Sequence, residues 1–98
     1  MAYAVVFAAT ARRDLTALPE KVAAAAVEFI YGSLLDNPYR VGKALRFEFV
    51  GFHSARRGDY RVVYRIDDDA DQILVVAVDH RRRVYRRLPV PPAVRPSR

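Results

Sequence analysis

The chain has no cysteine among its 98 residues. That excludes disulfide staples, thiol nucleophiles and cysteine-bound zinc. It also lacks the uninterrupted run of ~18 or more apolar residues that a membrane helix needs, so no transmembrane span is expected. The segment Met1 to Thr10 is apolar but has no basic leader and is too short for a signal peptide, which makes a cytoplasmic location the default. No internal repeat is present. Lysine is scarce: 15 of the 17 basic residues are arginine, and only Lys21 and Lys43 are lysine. Basic groups concentrate toward the C-terminus. Residues 1–38 hold three basic groups against four acidic ones, whereas residues 39–98 hold 14 against seven. Arginine's planar fork suits bidentate phosphate contacts. A genome rich in GC would also raise the arginine share, but it would not explain the asymmetry along the chain.

With 52% hydrophobic residues the chain has enough apolar material for one buried core, and global disorder is not expected. Ala2 to Ala8 reads as a buried strand. Thr10 is a candidate N-cap for a helix from Ala11 to Leu18, and Pro19 opens a second helix to about Leu35, with Val22, Ala26, Phe29, Ile30 and Leu34 on its apolar stripe. Asp36-Asn37-Pro38 stops it. The period then changes to two. Leu45, Phe47 and Phe49 alternate with Arg46, Glu48 and Val50 as in a strand, and 52–57, 59–67 and 72–81 read as three more strands. The acidic run Asp67-Asp68-Asp69-Ala70-Asp71 is expected to be a turn between the last two, not a metal site. The expected fold class is α+β, in the order β-α-α-β-β-β, with an N-terminal helical hairpin on one face of an antiparallel sheet. One domain is expected over residues 1–88, followed by a Pro-rich tail, 89–98, that is extended or disordered.

Strand alternation then sorts the side chains. Tyr60, Val62, Tyr64 and Ile66 share one face, the natural core face, and Arg61, Val63 and Arg65 share the other. On the last strand Leu74, Val76 and Val78 are expected beneath the helices, leaving Ile73, Val75, Ala77, Asp79 and Arg81 on the open face. His53 and His80 fall on the core face. If Arg57-Gly58 is a two-residue turn, Arg56 stands opposite Asp59 and Ser54 opposite Arg61, and both join the open face. A three-residue turn would reverse that.

Asn37-Pro38, Arg40, Gly42-Lys43, Leu45, Gly51, Ser54 and the string Arg56-Arg57-Gly58-Asp59-Tyr60-Arg61-Val62-Val63-Tyr64 together resemble the RelE/ParE superfamily of toxin–antitoxin toxins, in particular its RelE-type branch. The resemblance runs from Tyr3 to about Arg87. It implies a metal-independent, cofactor-free endoribonuclease that cuts mRNA on the ribosome. In that chemistry the RNA's own 2′-hydroxyl attacks the adjacent phosphate, which calls for a base, phosphate-binding cations and an acid. By resemblance Arg61 binds the scissile phosphate, Arg81 stabilises charge or protonates the leaving group, and Tyr85 stacks on or orients the base. Ser54, Arg56, Arg57, Arg65, Arg82 and Arg83 are the further phosphate-contact candidates. Two lysines of the best-known members are matched here by Phe52 and Ser54, and the glutamate base of another branch by Lys43. Lys43 would have to lose its proton to serve. The resemblance also implies a cognate acidic, RelB-like antitoxin, operator DNA bound through the toxin–antitoxin pair, and no membrane partner. A ParE-like poison of DNA gyrase and a non-catalytic, antitoxin-binding member are the rival readings.

Overall fold

The structure, a computed structural model, describes residues 3–84. Tyr85 and the tail at 89–98 lie outside the described residues. Ala4–Phe7 forms β1, and the chain turns at Ala8 into α1, Ala9–Ala17. Glu20–Phe29 forms α2, with Pro19 at its N-cap, and the helix runs on through one wide π-turn at Ile30–Leu34. That turn keeps both Ile30 and Leu34 fully buried. Pro38 opens a one-turn helix α3, Pro38–Val41, at a position where its missing N–H has no partner to lose. The strands β2 (Lys43–Ala44), β3 (His53–Arg57), β4 (Tyr60–Asp67) and β5 (Gln72–His80) follow.

The five strands form one sheet in the order β1-β5-β4-β3-β2. It is mixed: β1 runs parallel to β5, and the other pairs are antiparallel. Two further expectations need correcting. Thr10 is not a cap; it lies inside α1 and its Oγ1 donates to the Val76 carbonyl at 2.6 Å. The alternating stretch after Ala44 is not a strand but a 3-10 turn at Phe47–Phe49. There the Leu45 amide donates to the Phe52 carbonyl at 2.9 Å and closes the loop.

One irregularity decides which way β5 faces. Val63 pairs with Ala77 but Tyr64 pairs with Val75, so Val76 is an extra residue, a β-bulge. Ile73 and Val75 therefore join Ala11, Ala26, Ile30, Leu34, Val62 and Tyr64 beneath the helices, and Val78 returns to that face after the bulge. Val76 and Ala77 both turn outward, into a second small core with Phe52, Val63 and Val84. The expectation from strict alternation is thus reversed for residues 73–76 and correct for 77–79. β1 ends at Phe7, so among the described residues no strand covers the edge of β5 beyond Val75. Two side chains of α1 serve that edge. Thr10 takes the Val76 carbonyl, and Asp14 Oδ2 accepts from the Val78 amide at 3.0 Å.

Candidate nucleic-acid interface

The hairpin loop is Gly58-Asp59, one residue later than expected, because Arg57 pairs with Tyr60. Gly58 has φ 64°, and the first position of a two-residue type II′ loop takes glycine for that reason. Arg56 accordingly stands opposite Arg61, and Ser54 opposite Val63. The shift is by an even number of positions, so both still face away from the helices. Across the next ladder Arg61 stands opposite Asp79. A row Arg56–Arg61–Asp79 therefore crosses three strands on the outer face. A second row beside it runs Lys43–Ser54–Val63–Ala77. From sheet spacings, the Lys43 and Arg61 Cα atoms are about 12 Å apart, a gap two long side chains can close.

These side chains differ in freedom. Arg56 is exposed, and its Nε donates to the Gly58 carbonyl at 3.1 Å, which steadies it beside the loop. Arg61 is half-buried, Ser54 is buried and Lys43 is exposed. Arg81 follows β5, and its amide donates to the Asp59 carbonyl at 3.0 Å, adding one rung to the ladder next to the arginine row. Arg82 and Arg83 are exposed in the turn that follows. Arg65 shares the outer face but stands about 13 Å along β4 from Arg61. Its guanidinium lies over the Phe52 ring, 5.6 Å from the centroid.

Arg57 is not part of the assembly. Its strand position is on the helix face, where it lines a cleft of about 290 Å³ with Lys21, Val22 and Tyr60. His53 and His80 are on that face too. His53 stacks on Tyr64 at 5.6 Å and meets Tyr39 edge-on, and its Nδ1 is buried with no hydrogen-bond partner among the described residues. Burial holds its pKa below the usual histidine value. His80 meets Tyr60 edge-on, and its Nδ1 accepts from the Arg82 amide at 3.2 Å. The acidic run is a turn, and Asp68 within it ties two elements together by accepting from the Tyr3 and Tyr39 hydroxyls. Among the described residues no cluster of His, Cys, Asp and Glu has the geometry to hold a metal ion. The face thus offers an array of cations and, opposite Arg61, the carboxylate of Asp79. Alternation alone placed Asp79 on this face but gave it no role.

A family model for the ParE toxin of type II toxin–antitoxin systems matches residues 5–85. The chain is 54% identical over 90 residues to a protein named Toxin RelE from Mycobacterium tuberculosis, covering 92% of this chain and 93% of that one. It is 54% identical over 87 residues to Toxin RelG of the same organism, covering 89% of this chain and 100% of that one. In the crystal structure of the M. tuberculosis toxin–antitoxin complex RelBE2, one chain matches with TM-score 0.79 and 53% identity, over 83% of this chain and 100% of that chain. A double arginine-to-alanine mutant of the E. coli RelE toxin in the free state matches with TM-score 0.72 at 21% identity, over 87% of this chain and 90% of that chain, a likeness of fold.

Proposed function

Because the chain belongs to the RelE/ParE family of type II toxin–antitoxin toxins, we propose that it is an endoribonuclease that cuts mRNA on the ribosome and is held inactive by a cognate RelB-like antitoxin. The observation that carries this reading is the row Arg56–Arg61 on the outer face, with Lys43 and Ser54 on one side of it and Arg81 following β5 on the other. Phosphoryl transfer at RNA asks little covalent chemistry of a protein. The 2′-oxygen attacks the adjacent phosphorus, the bond from phosphorus to the 5′-oxygen breaks, and a cyclic phosphate and a 5′-hydroxyl result. The protein supplies position and charge. Arg61 and Arg56 grip the scissile phosphate, and Arg81 meets the charge that develops on the leaving oxygen. Lys43, beside the row, serves at the 2′-hydroxyl.

The partners follow from the same reading. An acidic antitoxin that covers the outer face neutralises the arginines, and the pair binds operator DNA through the antitoxin. The RelBE2 complex, at 53% identity, supports the pairing of this chain with such a protein.

Expression of the chain without its antitoxin, with mRNA 5′ ends mapped, tests the proposal. Cuts within translated codons are expected. Arg61→Ala and Arg81→Ala should each relieve growth arrest while the domain stays folded. DNA damage with intact mRNA would instead identify a gyrase poison, the activity of the ParE branch, and full toxicity of both variants would remove the arginine row from the chemistry.

A further inference from the structure

We infer that Asp79 is a positioning residue of this face: its carboxylate holds Arg83 beside Arg61, so that guanidinium groups from two different elements meet one phosphate. The inference rests on the ribonuclease reading; it adds Asp79 and gives Arg83, one of the phosphate-contact candidates, a defined partner. Asp79 is only 8% exposed, on a face built largely of cations. A carboxylate so placed has given up most of its water and persists only with partners. Its Oδ1 accepts from the His80 amide at 2.6 Å and lies 3.5 Å from Arg83 Nη2. Its strand partner is Arg61, and side chains directly opposite in an antiparallel pair are within contact range.

The path of the chain beyond β5 makes the contact possible. An extended strand would carry Arg83 more than 10 Å past Asp79, at about 3.3 Å per residue. Instead the Arg83 amide donates to the His80 carbonyl at 2.9 Å, closing a turn, and Val84 plugs into the outer core, fully buried. The turn brings Arg83 back over the row. Its side chain remains 68% exposed while that of Asp79 is 12% exposed. A guanidinium has five donors, so one directed at Asp79 leaves an edge of the fork for a phosphate. The carboxylate also lies between two cations that would otherwise repel each other before RNA arrives. A pair this long and this exposed on one side adds little to stability, so its loss should appear in the rate and not in the fold.

The test is a two-residue cycle in one assay: purified chain added to ribosomes programmed with a defined mRNA, comparing wild type, Asp79→Asn, Arg83→Ala and the double variant. Asp79→Asn should lower kcat by roughly ten- to a hundredfold, the scale of a misplaced catalytic group, with KM within about twofold. The double variant should be no slower than Arg83→Ala alone, because both changes remove the same positioned guanidinium. Undiminished kcat in Asp79→Asn, or losses that multiply in the double variant, would overturn the inference. If Asp79→Asn fails to fold, Arg83→Ala decides: full activity sinks the idea, and a loss confined to kcat supports it. Wild type that leaves the mRNA intact would instead remove the ribonuclease reading, and the role of Asp79 with it.

Discussion

Arg56 and Arg57 are neighbours in the chain and stand on opposite faces of the sheet, one in the arginine row and the other beneath α2. On the proposed ribonuclease reading, Arg56→Ala should slow RNA cleavage on the order of tenfold or more, the effect of losing a charge contact to the reacting phosphate. Arg57→Ala should leave the rate within about twofold, because a strand side chain on the far face does not reach the RNA. Equal losses in a single-turnover cleavage assay would mean that the RNA wraps round the hairpin loop. A second residue acts through closeness alone. A Cβ on Gly42 would lie 2.2 Å from the Tyr64 hydroxyl and 3.1 Å from the Ser54 carbonyl. That hydroxyl accepts from the Gly42 amide and donates to the Pro38 carbonyl at 2.6 Å, which joins α3 to the sheet. Gly42→Ala should therefore destabilise the domain by about 1–3 kcal/mol, the usual cost of overpacking, read as a lower urea midpoint. An unchanged midpoint would show that α3 moves aside at little cost.

Among the elements, the arginine hairpin was legible in the sequence because the evenly spaced Tyr60, Val62, Tyr64 and Ile66 leave one arrangement of faces. β5 was not. Ile73 to Val78 is apolar at every position, so no polar residue marks the parity, and a bulge at Val76 leaves no trace in hydrophobicity. The groups that satisfy the strand's edge there lie far off in the chain, on two α1 side chains. The stretch at 45–52 misled for a related reason. Leu45, Phe49 and Phe52 belong to the outer core, a spacing of four and three, while Phe47 points to solvent with 82% of its surface exposed. The sequence alternates there by composition only. Thr10→Val tests the α1 account: it keeps the shape, removes the donor to the Val76 carbonyl, and should cost about 1–2 kcal/mol in a denaturant melt. If stability is unchanged, the bulge is held by the outer core and not by the helix.

For the whole molecule, the groups that join its layers fix how stability depends on pH. His53 lies between Tyr39 and Tyr64, and burial holds its folded-state pKa below the ordinary 6.5. The unfolded chain therefore takes up this proton first, and stability falls as pH drops below 6.5. Asp68 is shifted the same way, by the Tyr3 hydrogen bond and then the Tyr39 one, from an ordinary 3.8. Its contribution is present above that value and is lost as pH falls through the lower, folded one. At the alkaline end the sign reverses. Burial pushes the Tyr64 hydroxyl up to about 12, and the bond to Asp68 does the same for Tyr3. These phenols ionise first in the unfolded chain, so their contribution is whole below the ordinary value of 10 and declines from there to about 12. Melting temperature should thus form a plateau between about pH 6.5 and 10 and slope away on both sides. His53→Phe, which keeps a ring against Tyr64 and has no titrating nitrogen, should flatten the decline just below 6.5 and leave the alkaline side unchanged. If the variant falls off with acid as steeply as wild type, the acid sensitivity comes from elsewhere, and the half-buried ring is not what the sheet protects from protonation.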